Sequence, residues 1–169
     1  DYVFFKRGDK LPDSDVIHIP YFEPFFITLP FSNLSKTTVT VHDLTPLVFR
    51  DKFPSGIKGR VKWNIQKRLL KNSGRIITDS ESSKKDIIKY AGIDGGKIDV
   101  VYLAAAQYFK QNKNKSDSEK TIRKLNLPEK FLLYVGDVTW NKNLPGLIEA
   151  VGRTGYSLVI AGKAFANKE

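Results

Sequence analysis

Short runs of apolar residues recur along the chain with polar breaks between them. They fall at Tyr2–Phe5, Asp15–Ile19, Thr37–His42, Arg75–Thr78, Ile98–Tyr102, Phe131–Val135 and Ser157–Ala161. Most are near-continuous rather than alternating. That pattern suits strands buried on both faces, as in a parallel sheet covered by helices. Between several of them lie helical periodicities. Ile57, Val61, Ile65 and Leu69 recur every four residues and predict a helix over 57–72 with those four residues as its core face. A second helix is predicted over 82–90, with Ser80 available as a cap. A third is predicted over 143–152, opened by Asn143 with Pro145 in its first turn. Strands alternating with helices imply an α/β fold of Rossmann-like parallel sheets with right-handed crossovers.

The alternation is interrupted between Gln107 and Asn126. Residues 111–118 are wholly polar and read as a linker, which runs into a short helical pattern, Glu119–Leu125, closed by Pro128. The expected organisation is therefore one α/β unit over 1–106, a linker with a short helix over 107–127, and a second unit over 128–169. That second piece is too small to bury both faces of its own strands.

Composition narrows the chemistry. The 169 residues carry no Cys, which excludes disulfides, thiolate metal sites, iron–sulfur clusters and a cysteine nucleophile. With His18 and His42 as the two histidines, a zinc site would need carboxylates for most of its ligands. No apolar run approaches the roughly 18 residues of a membrane-spanning helix. There is no Met either, and the chain is expected to be a fragment of a longer protein.

The formal net charge is +10, and most of the excess is local. Residues 50–75 hold nine basic residues, Arg50, Lys52, Lys58, Arg60, Lys62, Lys67, Arg68, Lys71 and Arg75, against the single acid Asp51. Three readings compete: a solvated face of a core helix, attraction to an anionic membrane surface, and nucleic-acid binding. The last is weakest, because beyond Phe53 and Trp63 no aromatic ring interleaves with these cations.

Generic catalytic motifs are absent. Gly162-Lys163 lacks the earlier glycine and the following Ser or Thr of a phosphate loop, and neither G-x-G-x-x-G after a strand nor G-x-S-x-G occurs. The informative residues are those just past each strand, since ligands of open parallel sheets bind beyond the strands' carboxyl ends. His42-Asp43 ends the third run. Asp79-Ser80-Glu81 comes after the fourth. Gly136, then Lys142 and Asn143, come after the sixth, and Gly162-Lys163 after the last. A glycine after a strand and a lysine beside a helix start suit a phosphorylated or nucleotide-bearing ligand. Each residue also has a plainer role. His42 can bond backbone at a strand end, Ser80 can serve as a cap alone, and Asp43 and Asp79 can be turn residues.

The segments TVTVHDLTPLVF and the Arg50–Pro54 stretch after it, RIITDSESSKKDI from Arg75, KIDVVYLA from Lys97, FLLYVGDVTWNKNLPGLIEAV from Phe131 and LVIAGK from Leu158 occur in that order. Together they resemble GT-B glycosyltransferases of family 4 over roughly residues 15–163. The resemblance implies two Rossmann-like domains, incomplete here, acting in retaining transfer of a hexose, mannose among them, from a nucleotide-diphosphate sugar to an acceptor hydroxyl. The acceptor would be a saccharide or a lipid-linked sugar in cell-envelope polysaccharide or glycolipid synthesis.

The matching positions imply roles. His42 would contact the transferred sugar, Lys142 the donor diphosphate, Gly136 would let the donor approach, and Lys163 would be a second phosphate contact. Asp43, Ser80 and Glu81 would line the cleft. No metal or other cofactor is implied, because lysine ammonium groups would offset the leaving-group charge. The implied location is cytoplasmic, at the inner face of the plasma membrane, with residues 50–75 facing anionic lipid and no specific nucleic acid bound. Two departures stand out. Asp137 follows Gly136 and no Arg lies between 124 and 152, where many relatives have one. The family's paired-Glu donor motif and its N-terminal glycine-rich loop are not found in the sequence, so this chain alone is expected to have little transferase activity. The alternative reading is a non-catalytic basic α/β module that binds membrane or nucleic acid.

Overall fold

The computed structural model describes residues 14–107, 109–110 and 115–165. The predicted strand Tyr2–Phe5 and the polar residues 111–114 lie outside them. The chain divides into two units, Asp1–Ala104 and Ala105–Glu169.

The first unit is built on four short strands, β1 (Ile17–Ile19), β2 (Thr37–Thr40), β3 (Arg75–Thr78) and β4 (Ile98–Val100). They lie side by side in chain order and all pairs are parallel. The near-continuous apolar runs serve that arrangement, because Val39, Val41, Ile76 and Ile98 are buried in one core with Leu44, Leu47, Leu70 and Ile87. Helices α1 (Thr45–Val48) and α2 (Gly56–Asn72) connect β2 to β3. Helix α3 (Glu81–Asp86), extended by a π-turn over Ile87–Ala91, connects β3 to β4. Gly92, in the left-handed region at φ 64°, ends it, and its N–H donates to Ile88 O at 3.0 Å.

Helix α2 corrects one expectation. Of the predicted core row only Leu69 is buried; Ile57, Val61 and Ile65 are 74%, 54% and 38% exposed. The buried face is Gly59, Trp63, Gln66 and Leu70, with Leu69 at its margin. Gln66 explains the rotation. Its Nε2 donates to Glu23 O (3.0 Å), Phe26 O (2.6 Å) and Thr28 Oγ1 (2.7 Å), and its Oε1 accepts from Leu29 N–H (3.3 Å). The loop before β2 tucks Phe22, Pro24 and Leu29 into the interior and takes its backbone polar groups with them. Those groups need partners once buried, and one amide side chain supplies both donors and an acceptor. Gly59 makes room beside it, since a Cβ there would lie 2.7 Å from Ser55 Cβ and 3.6 Å from the Phe25 ring.

The second unit has two parallel strands, β5 (Phe131–Val135) and β6 (Ser157–Ala161). Helix α4 (Lys115–Lys124) precedes them and α5 (Leu144–Gly152) joins them. α4 begins inside the run read as linker. Its charges suit a helix: Asp117 sits in the first turn and Arg123 and Lys124 in the last, and Glu119 pairs with Arg123 at 3.9 Å. Leu144 and Val151 of α5 are buried, whereas Leu132, Leu133 and Val135 of β5 are exposed.

Candidate functional site

β2 and β3 are parallel neighbours, with Thr40 opposite Ile77. Their carboxyl ends therefore lie side by side, and the next residues of each meet there. His42 Nδ1 donates to Asp79 Oδ2 at 2.7 Å. An ionised carboxylate can only accept, so the proton belongs on Nδ1 and the lone pair of the neutral ring on Nε2. The pair is half open to solvent, the His42 and Asp79 side chains being 44% and 21% exposed. Backbone bonds fix both ends: Val41 N–H donates to Ile77 O and Val101 N–H to Thr78 O, each at 2.9 Å.

The start of α3 closes around the same point. Ser80 caps the helix, its Oγ accepting from Ser83 N–H at 3.1 Å. Ser83, buried one turn in, donates through Oγ to His42 O at 2.8 Å. His42 is thus held at its ring by Asp79 and at its carbonyl by Ser83. Tyr21 adds a wall, its ring centroid 6.4 Å from that of His42 and tilted by 40°. The Tyr21 hydroxyl donates to Glu23 Oε2 at 3.1 Å. Partial burial, that bond, and the charges of Glu23 and Asp43 hold its pKa above the ordinary phenol value.

Of the other first-unit candidates, Asp43 caps its own turn, Oδ1 accepting from Thr45 N–H at 2.8 Å. Glu81 is the first residue of α3 and is exposed. His18 stands apart, bonded across the sheet from Nε2 to Thr40 Oγ1 at 2.9 Å. In the sequence Asp79 reads as a turn residue, and neither Ser83 nor Tyr21 stands out. Only the pairing of β2 with β3 makes Asp79 a partner of His42.

In the second unit, Val135 lies opposite Ala161, so Gly136 and Gly162 sit at adjacent strand ends. Gly136 N–H donates to Ala161 O at 3.0 Å. A Cβ on Gly136 would come within 3.0 Å of the Tyr134 hydroxyl, which donates to Asp137 O at 2.7 Å. Lys142 ends a 3-10 turn over Trp140–Lys142, and Asn143, at φ 48°, leads directly into α5. Lys163 opens a turn just after Gly162, and both lysines are exposed. The unit's apolar groove, about 650 Å³ between α4 and the sheet, is lined by Ile122, Leu125, Leu127, Phe131, Leu133 and Val159 among others, and by none of these candidates.

Among the described residues, no group of three or more His, Asp or Glu side chains could hold a metal ion. No described helix is long and apolar enough to cross a membrane.

The sequence model of Glycosyltransferase Family 4 matches residues 4–104, which include His42, Asp79 and the strands that carry them. The chain belongs to glycosyltransferase family 4. The family 4 chain is 30% identical over 135 residues to the O-antigen chain mannosyltransferase RfbU of Salmonella typhimurium, a match covering 79% of this chain and 33% of that protein. It is 24% identical over 154 residues to the serotype-specific mannosyltransferase WbdA of Escherichia coli, covering 87% of this chain and 18% of that one. The family 4 chain thus spans about a third of one relative's length and under a fifth of the other's.

Proposed function

We propose that this family 4 chain is the part of a retaining glycosyltransferase that holds a nucleotide-diphosphate hexose and presents it to an acceptor hydroxyl. The names of the two relatives favour mannose as the hexose and an envelope polysaccharide as the product. The acceptor is a saccharide or a lipid-linked sugar, and the site of action is the cytoplasmic side of the plasma membrane.

The observation that supports this reading best is the hydrogen bond from His42 to Asp79 at a shared strand end, inside the family-matched segment. With Nδ1 occupied, Nε2 is an acceptor for a sugar hydroxyl. In the transfer, the bond from the anomeric carbon to the diphosphate breaks and a bond to the acceptor oxygen forms. Negative charge grows on the departing diphosphate, and the acceptor's proton is released. The ammonium groups of Lys142 and Lys163 offset that charge, so no metal is needed. Lys142 lies two residues before the start of α5, and a helix N-terminus favours an anion. Gly136 gives the donor access to the backbone, and Asp43, Ser80 and Glu81 border the sugar. Holding donor and acceptor in register supplies most of the acceleration.

Calorimetric titration with nucleotide-diphosphate mannose tests this. Lys142→Ala should weaken binding about tenfold, as loss of one charge-assisted phosphate contact does. Equal affinity of the two proteins would remove Lys142 from the site.

A further inference from the structure

Tyr21 keeps an aromatic ring open to solvent beside His42, and the fold holds it there. It stands two residues past β1, as His42 stands two residues past β2, and Ile19 pairs with Val39, so both rings belong to one edge of the sheet. The Tyr21 ring is 57% exposed although Phe22 and Pro24 on either side of Glu23 are buried. Those two residues fix the backbone that carries it. Glu23 O is tied by Gln66 Nε2 at 3.0 Å, and Glu23 Oε2 accepts from the Tyr21 hydroxyl at 3.1 Å. A ring anchored at its backbone and at its hydroxyl loses little further freedom when a ligand settles on it.

Charge decides what can settle there. Asp79 bonds the imidazole and Glu23 the phenol, and the charge of Asp43 adds to burial and Glu23 in raising the Tyr21 pKa. In a chain of net charge +10, this edge gathers carboxylates around its two rings. A nucleobase stacked on Tyr21 would bring its phosphates among those carboxylates, and like charges brought together disfavour it. An uncharged pyranose suits the same surroundings. Its C–H groups carry partial positive charge and lie well on the negative face of an aromatic ring. Its hydroxyls donate to carboxylates, which only accept. The donor's hexose is bonded directly to a diphosphate, whereas the terminal sugar of an acceptor need carry no charge.

We propose that Tyr21 is the stacking platform for the terminal sugar of the acceptor, and that Glu23 and Asp43 restrict that sugar to an uncharged one. This rests on the transfer reading above and names its acceptor class, a saccharide that ends in a neutral pyranose. A pyranose on the phenol lies beside His42, because the two ring centroids are 6.4 Å apart. The hydroxyl to be glycosylated is thereby presented at the edge where the imidazole stands.

The test is an NMR titration of the chain with methyl mannoside, a neutral pyranose, without donor. The Tyr21 ring protons should shift saturably, and saturating them should transfer to the C–H protons of the sugar. Tyr21→Phe keeps the ring and should bind within about threefold of the unaltered chain, whereas Tyr21→Ala should weaken binding about tenfold. Mannose 6-phosphate should bind at least about tenfold more weakly than methyl mannoside, and Glu23→Gln/Asp43→Asn should narrow that gap to under about threefold. No saturable shift at Tyr21 up to about 50 mM methyl mannoside overturns the inference. So does equal affinity for mannose 6-phosphate in the unaltered chain, full binding by Tyr21→Ala, or preference of the Tyr21 ring for a nucleoside monophosphate. The mannoside and phosphate arms use the unaltered chain, so they decide the matter even where a variant fails to fold. Titration of the unaltered chain with nucleotide-diphosphate mannose reports the donor site separately, at Gly136 and Lys142. Shifts there with none from methyl mannoside at Tyr21 overturn this inference alone. The reverse result overturns the donor site and leaves the sugar on Tyr21.

Discussion

His42 and Asp79 are joined by a 2.7 Å hydrogen bond between residues 37 apart in the chain, brought together by two adjacent parallel strands. The carboxylate sets which ring nitrogen carries the proton. Asp79→Ala removes that constraint, so the ring should turn to a mixture dominated by the Nε2–H form. Imidazole ¹⁵N shifts read the two forms directly. Asp79→Glu should partly restore the Nδ1–H form. An unchanged spectrum in Asp79→Ala would mean that the bond does not orient the ring.

Gln66 and Ile65 are neighbours on α2 with opposite fates. Gln66→Ala leaves the buried Leu29 N–H and the part-buried Phe26 carbonyl without their side-chain partner, while Glu23 O keeps its bond from Phe26 N–H, and should lower stability by about 2–4 kcal/mol in urea unfolding. Ile65→Ala should cost under about 0.5 kcal/mol, because the side chain is on the open face. The reverse order would restore the core face predicted from hydrophobic spacing.

That contrast shows what the sequence could and could not reveal. β3, β5 and β6 match their predicted limits because each centres on an apolar run, Ile76-Ile77, Phe131–Val135 and Leu158–Ala161, bounded by polar residues or glycine. Ser80 was legible as a cap because capping is local, and it does cap α3. The face of α2 was not legible. Hydrophobic spacing favours Ile57, Val61 and Ile65, while the packing is set by an amide reaching a loop some forty residues earlier. The pairing of Asp79 with His42 was hidden for the same reason, since it depends on which strands are neighbours. His42 and Gly136 stood out because they lie at strand ends. Thr45–Val48 escaped prediction because one turn of helix carries too little periodicity to read.

Gly136 can serve Tyr134 or the donor, and a double variant separates the two. Gly136→Ala crowds the Tyr134 hydroxyl, so it should lower stability by about 1 kcal/mol. Adding Tyr134→Ala should relieve the crowding. Donor affinity should stay low in the double variant if Gly136 admits the donor, and should match that of Tyr134→Ala alone if it serves packing.

The raised Tyr21 pKa has a pH consequence. The folded state keeps the phenol proton where the unfolded chain has begun to lose it. The folded form is thus favoured fully below about pH 10 and loses that advantage as the pH rises through the folded pKa. Lys97 acts in the opposite sense. Burial lowers its pKa, so its cost is full where both states carry the charge, fades as the pH rises through the lowered folded pKa, and is gone above the ordinary lysine value. Tyr21→Phe should therefore flatten the loss of stability on the alkaline side, and ultraviolet titration should lose one tyrosine that ionises above the ordinary phenol range. Identical alkaline profiles would contradict the environment described for Tyr21.

The most direct measurement is a ¹⁵N chemical-shift titration of the chain with nucleotide-diphosphate mannose. Saturable shifts should appear at the His42 imidazole and at the amides of Gly136, Lys142 and Asn143, and Lys142→Ala should weaken them. No saturable change at these positions up to about 10 mM ligand, a concentration that reveals binding as weak as about 2.7 kcal/mol, would contradict the donor site.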